Sequence, residues 1–248
     1  MESFTLTDDR TQQRLARVTG GLYLGFIVAS VLGDALAHVG RGTDQQIYRV
    51  IVTDVWRFRL GLVITLPSAL LFLVTAWGLY ALLRRVNQVV ALLFVVLNAT
   101  GVAIQCASMF PLVSAMLQGD RASRLHEFSG SQLQGLAYLS INVYKTGFVT
   151  AQLFFATWLL PLGYLVYKSR SLPSFLGILL VLDGVGVLIW FTQVLLYPTH
   201  PAIRYPGIVV SFIAELGLAL WLLVKGVRVP ESERGSAVSR DPSHEIVG

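Results

Sequence analysis

The sequence predicts an all-α, polytopic membrane protein, a bundle of six transmembrane helices with a short interfacial helix between the first two. Of its 248 residues 54% are hydrophobic and only 13% are charged, and its mean hydropathy is +0.66. Soluble domains carry about 25% charged residues, so this chain has too few charges to cover a water-facing surface. Its apolar residues also gather in long runs without strand-like alternation. Helices satisfy the backbone polar groups of such runs in lipid.

A helix needs roughly 20 mostly apolar residues to cross a hydrocarbon core of about 30 Å. Six runs meet this requirement: 18–39, 60–83, 89–116, 144–167, 174–196 and 207–224. The third run contains Pro111, where we expect a bend or an end. We expect 1–17 to be a cytoplasmic N-terminal segment, 18–227 the transmembrane domain and 228–248 a disordered cytoplasmic tail.

The basic residues predict the orientation, because cytoplasmic connections carry an excess of lysine and arginine. One side of the predicted bundle carries eleven of them and the other carries seven. Both tight hairpins, at Arg84-Arg85 and at Lys168-Ser169-Arg170, lie on the richer side. Both termini are therefore predicted to be cytoplasmic, in a bacterial inner (cell) membrane. A cleaved signal peptide is the alternative for the first run, but that run is long and Asp34 interrupts the approach to the Ala35-Leu36-Ala37 site.

The segment between the first two runs predicts a short helix in the outer interface. Thr43 and Gln46 form a capping-box pattern at its start. Its apolar residues then share one face, as in a helix that lies along the membrane surface. That face comprises Ile47, Ile51, Val55 and Phe58. Such a helix is either a lid over a cavity or a simple connector. A second outer segment, 119–131, is polar and is predicted to be a loop.

Four ionisable side chains fall within or at the ends of the runs, and their cost in lipid makes them the leading functional candidates. Asp183 and Glu215 each lie nine residues from an inner end, which places them near the midplane, roughly 14 Å deep at 1.5 Å per residue. Asp34 lies towards the outer side. Lys145 lies at the outer start of the fourth run, and its long stem allows it to reach outward to the headgroups or inward to Asp34.

Further polar residues share helix faces with these four. His38 continues the line of Ser30 and Asp34 at four-residue spacing, while Asn98 and Gln152 lie on polar stripes of the third and fourth runs. Stripes of this kind face the bundle interior rather than lipid. The seven candidates therefore outline a binding or ion pathway in a polar interior open towards the outer half. In the structural alternative, Asp34 pairs with Lys145, and the two midplane acids stay neutral and bond to neighbouring helices.

The remaining motifs exclude several function classes. The only cysteine, Cys106, permits neither an intramolecular disulfide nor a cysteine-based metal site. The histidines are not spaced as metal ligands, and known hydrolase patterns are missing. We therefore predict no metal, no cofactor and no nucleic-acid partner, and the sequence gives no support to an enzymatic activity. A shift of 85 positions also aligns two hairpins, bringing Asn98 onto Asp183 and Gly101 onto Gly186, which is a weak sign of a repeat.

Three stretches resemble a known bacterial family. They are Arg17-Val18-Thr19-Gly20-Gly21-Leu22-Tyr23-Leu24 at the start, the hairpin from Gly163 to Gly177, and the last run from Glu215 to Val227. In order and spacing the chain resembles the membrane proteins called domain of unknown function 4386. The resemblance implies a similar size and span number but no reaction. Where such proteins carry histidine near the start of the fourth span, this chain has Tyr144 and Lys145.

The lipid bilayer is the one partner that the composition requires. The leading functional hypothesis is the binding or transport of an ion or small molecule through a polar cavity inside the bundle. The alternatives are a non-catalytic scaffold or accessory subunit that serves a membrane partner and, less favoured, a lipid-modifying enzyme.

Overall fold

The structure is a computed structural model that describes the backbone of residues 2–40, 42–114 and 129–227, with side chains from Arg10 onward. Its α-helices are α1 (Glu2–Ala37), α2 (Asp44–Thr53), α3 (Val55–Leu83), α4 (Gln88–Ser108), α5 (Gly130–Lys168), α6 (Ser174–Leu196) and α7 (Tyr205–Val224). All but α2 belong to segments long and apolar enough to cross a membrane, six within the described residues. This confirms the predicted six-helix membrane bundle with a short helix after the first span.

The six long helices form a closed ring. Each packs against the next one in the chain, and α1 also packs against α7. Aromatic side chains extend from α1 and α3 towards α5. Phe72 stacks on Phe26, with 4.1 Å between the ring centroids. Phe72 also contacts Trp158 in an edge-to-face arrangement, with 5.1 Å between the centroids. The ring of helices is therefore joined across its middle by aromatic contacts as well as around its circumference.

Glycines mark the places where helix backbones touch. A Cβ atom added at Gly20 in α1 would lie 2.4 Å from the Leu223 nitrogen of α7. A Cβ at Gly163 in α5 would lie 2.7 Å from the Gly177 carbonyl oxygen of α6. Lipid tails are as apolar as leucine, so close packing of this kind drives helix association in membranes.

The predicted interfacial helix is α2, and its capping box is present. The Thr43 hydroxyl accepts a hydrogen bond from the Gln46 amide, and the Gln46 side chain accepts one from the Thr43 amide. The helix is shorter than the predicted 43–59, because Asp54 caps a new helix by accepting from the Arg57 amide at 3.1 Å. Val55 and Phe58 therefore belong to α3 rather than to the interfacial helix.

A second apolar cluster lies beneath α2, apart from the main core. Ile47 and Ile51 of α2 are buried in it, and Phe58 of α3 is fully buried. The ring of Tyr48 in α2 also stacks on Tyr138 of α5 at 5.0 Å between centroids. The short helix is thus packed onto the bundle through its apolar face.

The helix α5 begins 14 residues before the predicted span, with a capping box at Ser129 and Gln132. Its 39 residues span roughly 58 Å at 1.5 Å per residue, well beyond the hydrocarbon thickness. The α4 segment is interrupted by a turn at Met109, next to the predicted bend at Pro111, and is helical again over 110–114. Most of the predicted loop 119–131 and the tail 228–248 lie outside the described residues.

Replacing Gly20 with alanine should destabilise the bundle, because the new methyl group meets the backbone of α7 rather than a side chain that can move. We expect a loss of about 1–3 kcal/mol, the usual effect of overpacking. The measurement is thermal inactivation of the purified protein in detergent, followed by size-exclusion chromatography.

The adjacent Gly21→Ala is the matched control for Gly20→Ala. A Cβ atom there meets only the Leu223 Cδ1 atom, at 3.8 Å. Alanine is also the better helix former, so this variant should be unchanged or slightly more stable. Equal losses in both variants would contradict the proposed backbone contact.

Tyr144 provides a second test, at the end of the bundle that carries α2. Its hydroxyl donates a hydrogen bond to the Val39 carbonyl oxygen, which joins α5 to the end of α1 in a buried site. Tyr144→Phe leaves that carbonyl without its donor, and we expect a loss of about 1–3 kcal/mol in the same thermal assay. Tyr138→Phe, which keeps the ring stacked on Tyr48, should change stability little, and a larger loss in this control would argue against the assignment.

Candidate functional site

The two acids that the sequence predicts to lie near the midplane come from neighbouring helices. Asp183 lies nine residues into α6, and Glu215 lies nine residues before the end of α7. The backbones of these helices touch where Gly186 meets Gly207, since a Cβ added at Gly186 would lie 2.8 Å from the Gly207 Cα atom. The close approach brings the carboxyl-bearing faces of α6 and α7 together.

Asp183 and Glu215 form an acid pair within the bundle. Asp183 is completely buried, and the two carboxyl groups interact electrostatically. Ser211, one helical turn before Glu215, lies beside Asp183. Neither carboxylate oxygen of Asp183 has a hydrogen-bond partner of normal geometry among the described residues. Glu215 lies deep among protein atoms but keeps part of its surface accessible, so the packing around the pair is not complete.

Tyr23 of α1 is the third member of this site. Its side chain is fully buried, and its hydroxyl faces the Glu215 carboxyl group without a hydrogen bond of normal geometry. The ring stacks on Phe26 and Phe72, each at 6.2 Å between centroids. Aromatic packing therefore holds the hydroxyl against the acid pair, and the first and last helices of the bundle meet there.

Sequence reasoning identified the two acids but not Tyr23 or Ser211. Ser211 precedes Glu215 by four residues, a helical spacing that places both on one face and that could have identified it. Tyr23 carries no such signal, because a tyrosine in an apolar run also fits an interface or a core. Only the packing of α1 against α7 places it at the acids.

Asn98 lies in α4 and is fully buried, and neither atom of its side-chain amide has a partner among the described residues. The predicted repeat aligns Asn98 with Asp183 in sequence. Asp183 is likewise fully buried, and its carboxylate oxygens also lack hydrogen-bond partners among the described residues. Gln152 lies on α5 and is half-buried. These two residues add polar groups to the interior but belong to other helices than the acid pair.

Asp34 and His38 lie at the C-terminal end of α1, where the chain turns. The Asp34 carboxylate accepts a hydrogen bond from the Gly40 amide at 2.7 Å. His38 follows the last helical residue with a φ of 55°, the left-handed conformation that ends many helices. Both residues thus take part in the turn that follows α1.

Lys145 forms an ion pair with Asp44, in the first turn of α2. In the structural alternative Lys145 pairs with Asp34, whereas the ion pair that the structure shows for Lys145 is with Asp44. The turn after α1 brings Asp44, in the first turn of α2, over the start of the predicted fourth span. Both paired side chains are about a third exposed, 35% and 38%, so the pair connects α2 to α5 at the surface.

The described residues contain no group of three or more histidine, cysteine, aspartate or glutamate side chains that could hold a metal ion. The acid pair offers two carboxyl groups, with the hydroxyl groups of Ser211 and Tyr23 close by. All of these potential ligand atoms are oxygens. Oxygen ligands suit hard cations better than they suit softer transition metals, and carboxyl oxygens also bind protons.

The sequence of the chain is similar to those of known proteins. A protein of Archaeoglobus fulgidus described as uncharacterised is 28% identical over 161 residues, which cover 63% of this chain and 77% of the relative. No solved structure matches the chain. The pattern of the domain of unknown function DUF4386 matches residues 18–226, from the first span to the end of the last. On this match across all six spans, the chain belongs to the DUF4386 family.

Proposed function

We propose that the protein binds a proton or a small cation at the pair of Asp183 and Glu215 and carries it, alone or together with a small molecule, across the membrane. The observation behind this proposal is the pair itself, two interacting carboxyl groups midway along neighbouring helices of a membrane bundle. Ionisable groups at this depth are expensive, and they often belong to ion pathways.

The physical chemistry of the pair requires a positive partner. Two carboxylates close together in a medium of low dielectric constant repel each other, and burial penalises each charge separately. No lysine or arginine is paired with Asp183 among the described residues. A proton or a cation therefore relieves the repulsion, and the hydroxyl groups of Tyr23 and Ser211 supply neutral oxygens for it.

Neutral hydrogen-bond donors alone do not explain the pair. Polar side chains that only connect membrane helices find partners on neighbouring helices. Asp183 has hydroxyl groups nearby, but its oxygens form no bonds of normal geometry in the described part of the chain. An accessory protein without transport activity would have no need for this unsatisfied group, which favours binding over a scaffold role.

Dicyclohexylcarbodiimide tests the proposal, because it enters hydrocarbon and reacts with protonated carboxyl groups there. We expect mass spectrometry of the treated protein in liposomes to locate the adduct on Glu215 or Asp183. Protection by sodium ions would identify a cation site, and labelling that depends only on acidity would identify a proton site. Glu215→Gln together with Asp183→Asn should abolish labelling and the movement of protons or sodium ions into the liposomes.

Asp34→Asn is the matched control, since it removes a carboxylate from the outer turn and leaves the acid pair intact. We expect this variant to label and transport like the wild type. A scaffold role predicts another result: neither acid reacts, no ion movement depends on them, and the double variant keeps the abundance and function of the wild type in cells. That result would end the transport proposal.

We further propose that the protein resides in the cell membrane, in bacteria the inner membrane, with 1–17 and 228–248 in the cytoplasm and the α2 side outside. The excess of basic residues around the hairpins at Arg84-Arg85 and Lys168 to Arg170 supports this orientation. The lipid bilayer is then the solvent for most of residues 18–227.

Cysteine labelling checks the orientation. After Cys106→Ser, a membrane-impermeant maleimide applied to intact cells should label Thr199→Cys, between α6 and the 3-10 helix Pro201–Arg204. It should label Arg170→Cys, between α5 and α6, only after the cells are opened. The reverse pattern would invert the proposed topology.

A further inference from the structure

The outer part of α6 carries two buried polar atoms without partners among the described residues, the indole nitrogen of Trp190 and the side-chain oxygen of Gln193. Gln193 is only 4% exposed. Its nitrogen donates to the Tyr197 carbonyl oxygen at 3.0 Å, which fixes the amide and leaves the oxygen as a free acceptor. The two residues are three apart, so they share one face of α6.

The 3-10 helix Pro201–Arg204 packs against this part of α6. The contact of Gly186 with Gly207 sets the register of the two antiparallel segments. Moving four residues up α6 from Gly186 reaches Trp190, and moving three or four back from Gly207 reaches the end of the 3-10 helix. Trp190 and Arg204 therefore lie at the same level of the bundle.

Arg204 contributes a third unpartnered atom to this level. Its Nε nitrogen is buried and has no hydrogen-bond partner in the described part of the chain. The guanidinium carbon lies 5.7 Å from the centre of the Tyr205 ring, which holds the planar group in place. A buried N–H group without an acceptor is costly, and an anion would supply the acceptor that the Arg204 Nε lacks among the described residues.

The wall opposite α6 comes from α5. The Phe148 ring meets Trp190 edge to face at 6.2 Å, and Gln152 follows Phe148 by one helical turn. Asp183 lies seven residues below Trp190 on α6, roughly 10 Å away along the helix axis. The acid pair is thus separated from the arginine, and the outer site carries positive rather than negative charge.

We infer that Arg204, Trp190 and Gln193 form a binding site for an oxyanion in the outer part of the bundle. Arginine and indole N–H groups donate to the charged oxygens of a carboxylate or phosphate. The free oxygen of Gln193 accepts from a hydroxyl group. The fitting ligand is therefore an oxyanion that also bears a hydroxyl group, such as hydrogen phosphate or a hydroxycarboxylate. This site is separate from the acid pair and does not depend on the proposed transport of a cation.

Two sources supply this chemistry, a free small anion from the outer side and the phosphate of a lipid headgroup. The experiment uses the full chain in a maltoside detergent, which contains no phosphate. Thermal stability is titrated with inorganic phosphate or lactate against chloride at equal ionic strength, and separately with phosphatidylglycerol. We expect saturable stabilisation by at least one of the oxyanions.

Two variants assign the effect to the site. Trp190→Phe keeps an aromatic ring next to Phe148 but removes the N–H group and part of the indole ring, and Arg204→Gln removes the charge. Each should weaken the apparent affinity about tenfold or more, the usual effect of losing a hydrogen bond to a charged group. Size-exclusion profiles establish that both variants remain folded.

The matched controls are Trp56→Phe and Arg49→Gln, which change exposed residues on the same side of the bundle. Both should titrate like the wild type. A response to phosphate or lactate identifies a soluble ligand, and a response to phosphatidylglycerol alone identifies the lipid. Unchanged affinity in Trp190→Phe and Arg204→Gln, or no stabilisation by any oxyanion beyond chloride, would overturn the inference.

Discussion

Close backbone contact at small residues is the interaction on which this bundle depends. The hydrophobic effect moves the helices into lipid but does not bring them together once they are there. The close packing comes instead from three glycine contacts, those of Gly20 with α7, Gly163 with Gly177 and Gly186 with Gly207. Because the last of these contacts sets the register of α6 and α7, it also decides that Asp183 faces Ser211 and Glu215.

The lipid environment also explains where the polar groups lie. Among the described residues most charged side chains lie near helix ends or in turns, and Lys145 forms an ion pair with Asp44. Asp183 and Asn98 depart from this pattern, since both are completely buried and lack partners in the described residues. Groups that cost stability in this way are the ones from which function is best inferred.

Much of the architecture could be predicted from the sequence, because the bilayer imposes a simple rule on length and polarity. The six runs, the capping box at Thr43 and Gln46 and the position of the two acids midway along their helices all follow from spacing along one helix. The partner of Lys145 could not be predicted in this way, because it depends on the turn at His38 that directs the chain back over α5. Tyr23 also required the contact between the first and last helices, which no local pattern encodes. The early start of α5, by contrast, is indicated in the sequence by the capping-box residues Ser129 and Gln132.

The closure of the ring has a consequence for biogenesis. Tyr23 enters the membrane with the first span, whereas Ser211 and Glu215 arrive with the last one. Until the ribosome has delivered α7, the glycine face of α1 around Gly20 has no helix to meet, and Asp183 has no neighbouring acid. The acid pair therefore forms only after α7 has entered the membrane, so a chain that stops before α7 lacks the site that we propose for the ion.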